Sequence, residues 1–87
     1  MRYQLTDAEI EEVLIDVKLH YRRALDDKGR GIFTSPQEIR GALDEEVCEA
    51  HEAFHDKNTA KIRRELFDVI TAAIHGIASL DRERMYW

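Results

Sequence analysis

Apolar residues recur every three or four positions along three stretches of this chain, and no stretch alternates with the period of a strand. That pattern commits the chain to helices. The first stripe is Ile10, Val13, Leu14, Val17, Tyr21, Ala24 and Leu25. It opens at Thr6-Asp7-Ala8-Glu9, which reads as a capping box, with Leu5 and Ile10 placed as a hydrophobic staple. Gly29 and Gly31 close it, because glycine readily takes the left-handed conformation after a helix. The second stripe is Ile39, Leu43, Val47, Ala50 and Phe54. Ser35 caps it, Pro36 suits the first helical position, and Glu38 completes a second box. Asp56-Lys57-Asn58 interrupts the pattern. Thr59 or Asn58 then caps a third helix with the stripe Ile62, Leu66, Val69, Ile70, Ala73, Ile77 and Leu80. The short link between the second and third helices predicts an antiparallel hairpin.

The expected fold is all-α: one domain over residues 1–87 with three main helices, in which helices two and three form a hairpin that completes a four-helix-type bundle on oligomerisation. A chain of 87 residues buries a small core, and association is a common remedy. Apolar side chains off the main stripes point the same way. Ile15 and Leu19 on the first helix, Phe67 and Ile74 on the third, and Ile32 and Phe33 in the loop are expected at a subunit interface. Tyr86 and Trp87 either dock on a neighbour or stay disordered.

Two acidic pairs carry the chemistry. Glu46 and Glu49, preceded by Glu45, lie on one flank of the second stripe; Glu65 and Asp68 lie on a flank of the third. Residues three apart share a helical face. Ala42 and Ala53 accompany the first pair, Ala72 and Gly76 the second, so the two helices have room to approach. Four converging carboxylates repel one another unless a cation joins them. Oxygen ligands of this hardness select Mg²⁺, with Mn²⁺ as the alternative. Taken singly, either pair reads as a solvated boundary; two matched pairs on paired helices read as a site.

Composition removes several other functions. The net charge of −5 makes free nucleic acid an unexpected partner. The single cysteine, Cys48, rules out an internal disulfide framework and suits a reducing cytosol. No apolar run approaches the roughly 20 residues that span a membrane, and the first residues lack the apolar stretch of a signal peptide. A cytoplasmic protein is expected.

His51-Glu52-Ala53-Phe54-His55 matches the H-E-x-x-H pattern of zinc proteases. A catalytic zinc needs a third protein ligand, and no histidine follows at a fitting distance. Helical angles of about 100° per residue place His51 and His55 away from the Glu46 flank. Of three readings (protease site, adventitious metal binding, or a solvated or interface pair) the last is preferred. His20 and His75 are expected at the surface or an interface, with substrate contact an alternative for His75.

Glu46-x-x-Glu49 and Glu65-x-x-Asp68, with fifteen residues between them, together resemble the MazG-like all-α nucleoside triphosphate pyrophosphatases. Ser35-Pro36, Leu43-Asp44-Glu45-Glu46-Val47 and Arg64-Glu65-Leu66-Phe67-Asp68-Val69-Ile70 extend the resemblance over roughly residues 33 to 80. It implies a hydrolase acting on acid anhydrides, which splits a (deoxy)nucleoside triphosphate into the monophosphate and pyrophosphate. Glu46, Glu49, Glu65 and Asp68 would hold Mg²⁺. A metal-activated water would attack phosphorus, with Glu45 and Glu46 as the catalytic carboxylates and Glu45 either orienting that water or tuning the site from behind the ligands. Such proteins assemble as homodimers or dimers of dimers. Relatives often carry a lysine where Ala42 stands, and many carry a Lys- and Asn-containing segment after the second motif, where this chain reads Ser79-Leu80-Asp81-Arg82-Glu83-Arg84-Met85-Tyr86-Trp87. Lys61, with Arg64 behind it, is the expected replacement for phosphate binding. Both serve equally as i,i+4 partners of Glu65 and Asp68. The alternative function is a non-catalytic helical oligomeric interaction module that keeps the fold and the metal site.

Overall fold

In a computed structural model, which describes residues 1–82 and 84–86, the chain forms three helices: α1 (Asp7–Lys28), α2 (Pro36–His55) and α3 (Thr59–Leu80). No strand occurs among the described residues. Caps set the boundaries. Thr6 Oγ1 accepts from the Glu9 N–H while the Glu9 carboxylate accepts from the Thr6 N–H and from Tyr3. Those donors hold the Glu9 carboxyl below its usual range, the Thr6 backbone N–H contributing most. Ser35 caps α2 through the Glu38 N–H, but the expected second box is displaced by one residue. The Glu38 carboxylate accepts from the N–H and hydroxyl of Thr34 instead of from Ser35. Of the two candidates before α3, Asn58 is the cap, its side chain accepting from the Lys61 N–H. Gly29 ends α1 at φ 86°, a conformation that favours glycine.

α3 is the centre of the fold, with α2 and α1 each packed along it. It turns its acidic, small-residue flank toward α2, not its apolar stripe. Glu65, Gly76 and Ser79 are buried on that flank, opposite Ala50 and Ala53 of α2. Gly76 is what permits the approach: a Cβ there would lie 2.9 Å from Ile39 Cγ2. Leu66, Ile70, Ile77 and Leu80 of the α3 stripe stay exposed, as do Ile10, Val13 and Leu14 of α1 and Phe54 of α2. Leu5 and Ile10, the expected staple, are exposed as well.

The contact of α1 with α3 is made largely by polar and aromatic groups. Phe67, expected at a subunit interface, is instead buried within the chain. Its ring stacks on His20 at 5.5 Å, and the Arg63 guanidinium lies 4.7 Å from its centroid while donating to Asp16 at 2.9 Å. The physical reason is the position of α1, which covers the α3 flank that carries Phe67. Ser79 anchors the α1–α2 linker: its hydroxyl donates to the His75 carbonyl and accepts from the Phe33 N–H. The Tyr86 N–H donates to the Thr34 carbonyl at 2.7 Å, bringing the end of the chain back to that linker. Trp87 lies outside the described residues.

Candidate metal centre

Packing the acidic flank of α2 on that of α3 brings Glu46, Glu49, Glu65 and Asp68 together. One oxygen from each lies within 4.8 Å of all the others. Among the described residues this is the set of metal-ligating side chains that converges. Glu65 is buried, Glu46 and Asp68 half-buried, and Glu49 exposed at the mouth. Burial, then Asp68 and Glu49, push the Glu65 carboxyl above its ordinary value, with Arg64 opposing. Burial also leads for Glu46, followed by Glu49 and Asp68, with Lys28 opposing. Glu46 Oε2 and Glu65 Oε2 are buried without a hydrogen-bond partner.

Such orphaned oxygens are rare in folded proteins and call for a partner. A divalent cation supplies one for all four carboxylates at once. An all-oxygen donor set fits Mg²⁺ or Mn²⁺, and an octahedral ion keeps positions for waters and phosphate oxygens. The residues present therefore fit the ion that the sequence motif implies.

His20, expected at the surface or an interface, instead supports the cluster from α1. Its Nε2–H donates to Asp68 Oδ1 at 2.7 Å from a half-buried ring stacked on Phe67. The acceptor is a carboxylate, so the proton belongs to Nε2. This bond fixes the Asp68 carboxylate from outside the ligand set, an arrangement that orients metal ligands. The available signal was Asp16 and His20, a polar i,i+4 pair beside the α1 stripe.

A cleft of about 220 Å³ opens beside the carboxylates, between the end of α1, the linker and α3. Glu46 and Asp68 form part of its wall, with Ala42, Lys28, Phe33 and His75. His75 is fixed in place: its Nε2–H donates to the Gly31 carbonyl and its Nδ1 accepts from the Tyr21 hydroxyl, both at 2.7 Å. Phe33 packs edge-on against its ring at 5.0 Å. Its volume is below the roughly 300–1,000 Å³ of pockets that enclose a drug-sized ligand.

The remaining sequence candidates lie elsewhere. Glu45 is exposed, one residue from Glu46 and outside the converging four. Lys61 donates to Asp56 at 3.0 Å, and Arg64 approaches Glu65 at 3.9 Å from an exposed position. Neither lines the cleft. His51, Glu52 and His55 are exposed and line a separate groove with Cys48 and Asp56; their donor atoms form no converging set among the described residues. Comparison with protein-family models, with curated proteins and with solved structures found no match to this chain.

Proposed function

We propose that this chain is a Mg²⁺-dependent nucleoside triphosphate pyrophosphohydrolase of MazG-like type. The observation that supports this reading is the four-carboxylate cluster with two buried, unpartnered oxygens, set beside a cleft. Bound there, Mg²⁺ would offset charge on the phosphate oxygens and acidify a water. Glu46, Glu49, Glu65 and Asp68 would hold the ion, with His20 keeping the Asp68 carboxylate oriented. In the reaction, a water oxygen would bond to the α-phosphorus as the bridging oxygen leaves with pyrophosphate. The water's proton would pass to solvent, with Glu45, exposed and outside the converging four, tuning the site from beside it. The cleft wall of Phe33 and His75 would receive the nucleoside.

The working unit in this reading is a cytoplasmic homo-oligomer in which a second copy covers the exposed stripes of α1 and α3. The accessible surface supports it: 7184 Å², against roughly 5,300 Å² for a compact monomer of this mass. Among the described residues only Ala50, Ala53 and Phe67 form a buried apolar core. Two copies joined along the stripes would complete a four-helix-type bundle.

The decisive experiment is pyrophosphate release from a panel of ribo- and deoxyribonucleoside triphosphates with Mg²⁺. Glu49→Gln and Asp68→Asn should lower turnover by orders of magnitude, while His51→Ala and His55→Ala stay within a few-fold of the parent. Histidine variants that are inactive beside active carboxylate variants would refute the carboxylate site. Ala42, standing where relatives carry a lysine, favours a second reading, a helical interaction module that binds metal without turnover. A parent that is stabilised by Mg²⁺ but releases no pyrophosphate from any nucleotide decides for it.

A further inference from the structure

The four ligands create a charge problem for any polyphosphate. Their carboxylates sum to −4 when ionised, so a single divalent ion leaves the site negative. An anionic substrate then needs a cation of the protein within reach. Helix dipoles do not provide it at the cleft, because α1 presents its C-terminal end there, whose partial charge is negative. Lys61 is committed to Asp56, and Arg64 is outside the cleft. Lys28 is the one Lys or Arg side chain on the cleft wall, which it shares with Glu46 and Asp68. It makes no ion pair among the described residues and stands exposed on the last turn of α1.

We infer that Lys28 is the polyphosphate-binding cation of this chain, doing from the end of α1 what a lysine at position 42 would do from α2. Ala42 lines the same cleft, so the two positions look onto one space from different helices. Lys28 also continues the α1 stripe by one turn, three residues after Leu25 and four after Ala24. Ala24 and Leu25, one turn before it, line the same cleft, so the end of α1 presents Lys28 to that space. An ammonium suits this task, being a compact charge on a flexible stem that follows a phosphate. The Gly29 turn, at φ 86°, ends the helix directly after it and leaves the side chain clear of a further turn.

This inference rests on the proposed nucleotide chemistry, and its test separates the two. Binding of Mg²⁺-pyrophosphate and of a non-hydrolysable nucleoside triphosphate is measured by titration calorimetry on the full chain. The panel is the parent, Lys28→Ala, Lys28→Arg, Arg23→Ala, and Lys28→Ala combined with Ala42→Lys. Loss of one charge-assisted contact should weaken both ligands roughly ten- to a hundredfold in Lys28→Ala, with Mn²⁺ affinity unchanged or raised. Lys28→Arg should retain most of the binding. Arg23→Ala removes the same charge from the same helix and should match the parent. Recovery in the double variant would place positions 28 and 42 on one phosphate. A parent that binds while Lys28→Ala binds equally well overturns the role of Lys28 alone. A parent that binds neither ligand with Mg²⁺ present overturns the nucleotide reading and this inference with it.

Discussion

Glu65 is the residue on which the candidate site turns, because it is the one carboxylate of the four buried outright, and one of its oxygens has no protein partner. The raised carboxyls of Glu46 and Glu65 have a definite consequence for pH. Both groups hold protons in the folded chain at pH values where the unfolded chain, titrating near 4.5, has lost them. Without metal, their contribution is therefore most favourable below about 4.5 and is lost as pH rises through the raised values. Melting in a chelator should show this as a rise in Tm from pH 7 toward 5 relative to Glu65→Gln, which lacks the group. Using that difference cancels the opposite contribution of Glu9. Saturating Mg²⁺ should reverse the trend, since ligating carboxylates must be deprotonated. At a hundredfold excess over Kd the ion adds about 2.7 kcal/mol, or some 4–8 °C per kcal/mol in a domain of this size. A parent Tm indifferent to millimolar Mg²⁺ and Mn²⁺ would count against the site. His20 belongs to the same scale. His20→Ala frees the Asp68 carboxylate and should weaken Mn²⁺ binding by roughly ten- to a hundredfold, and calorimetry giving the parental Kd would remove it from the site.

Helix contacts decide how closely the acids meet. Gly76→Val forces side-chain carbon into Ile39, which already lies 2.9 Å from where a Cβ would sit, and should cost about 1–3 kcal/mol. Gly76→Ala sets a helix-propensity gain of about 0.8–1.0 kcal/mol against the same clash. Its cost should vanish when Ile39→Ala clears the space, and urea unfolding of the four-member cycle measures that coupling. Additivity across the cycle would show that the two residues do not meet. The helices, their caps and the pairing of the acids were legible because they are set within one or two turns of sequence. Thr6, Ser35 and Pro36 act on their own helix, and Glu46 with Glu49 needs only a spacing of three. The approach of the two acidic flanks was legible in Ala42, Ala53, Ala72 and Gly76, but the exposure of the α3 stripe was not, since stripe and flank both satisfy helical periodicity. Which one meets α2 is settled by Gly76 opposite Ile39, residues distant in sequence. His20 and Lys28 escaped for the same reason: α1 reaches the site only through its packing on α3.

At the scale of the molecule, the chain is open. Its radius of gyration is 14.8 Å, where about 12 Å is expected of a compact chain this long. The exposed members of the stripes run from Ile70 at 37% to Ile77 at 60% accessible, and exposed apolar side chains in such number mark association surfaces. Sedimentation at micromolar concentration should therefore give a species heavier than 10.2 kDa, with a Tm that falls on dilution. A stable monomer with concentration-independent melting would refute the assembly. Leu66→Glu with Ile77→Glu should yield monomers that lose much of their stability, since little apolar core remains within one chain.

The bond from His20 to Asp68 also joins two things that look separate, ion occupancy and the docking of α1. α1 is fastened to the rest through Asp16, His20 and Tyr21, and one of those fasteners ends on a ligand. Filling the site restrains Asp68, and a restrained acceptor holds its donor longer. Amide protons along the middle of α1 should then exchange with deuterium more slowly when Mg²⁺ is present, although no residue of that helix touches the ion. The slowing should disappear in His20→Ala. The first helix would thus serve as a clasp whose opening rate reports, from a distance, on whether the ion is in place.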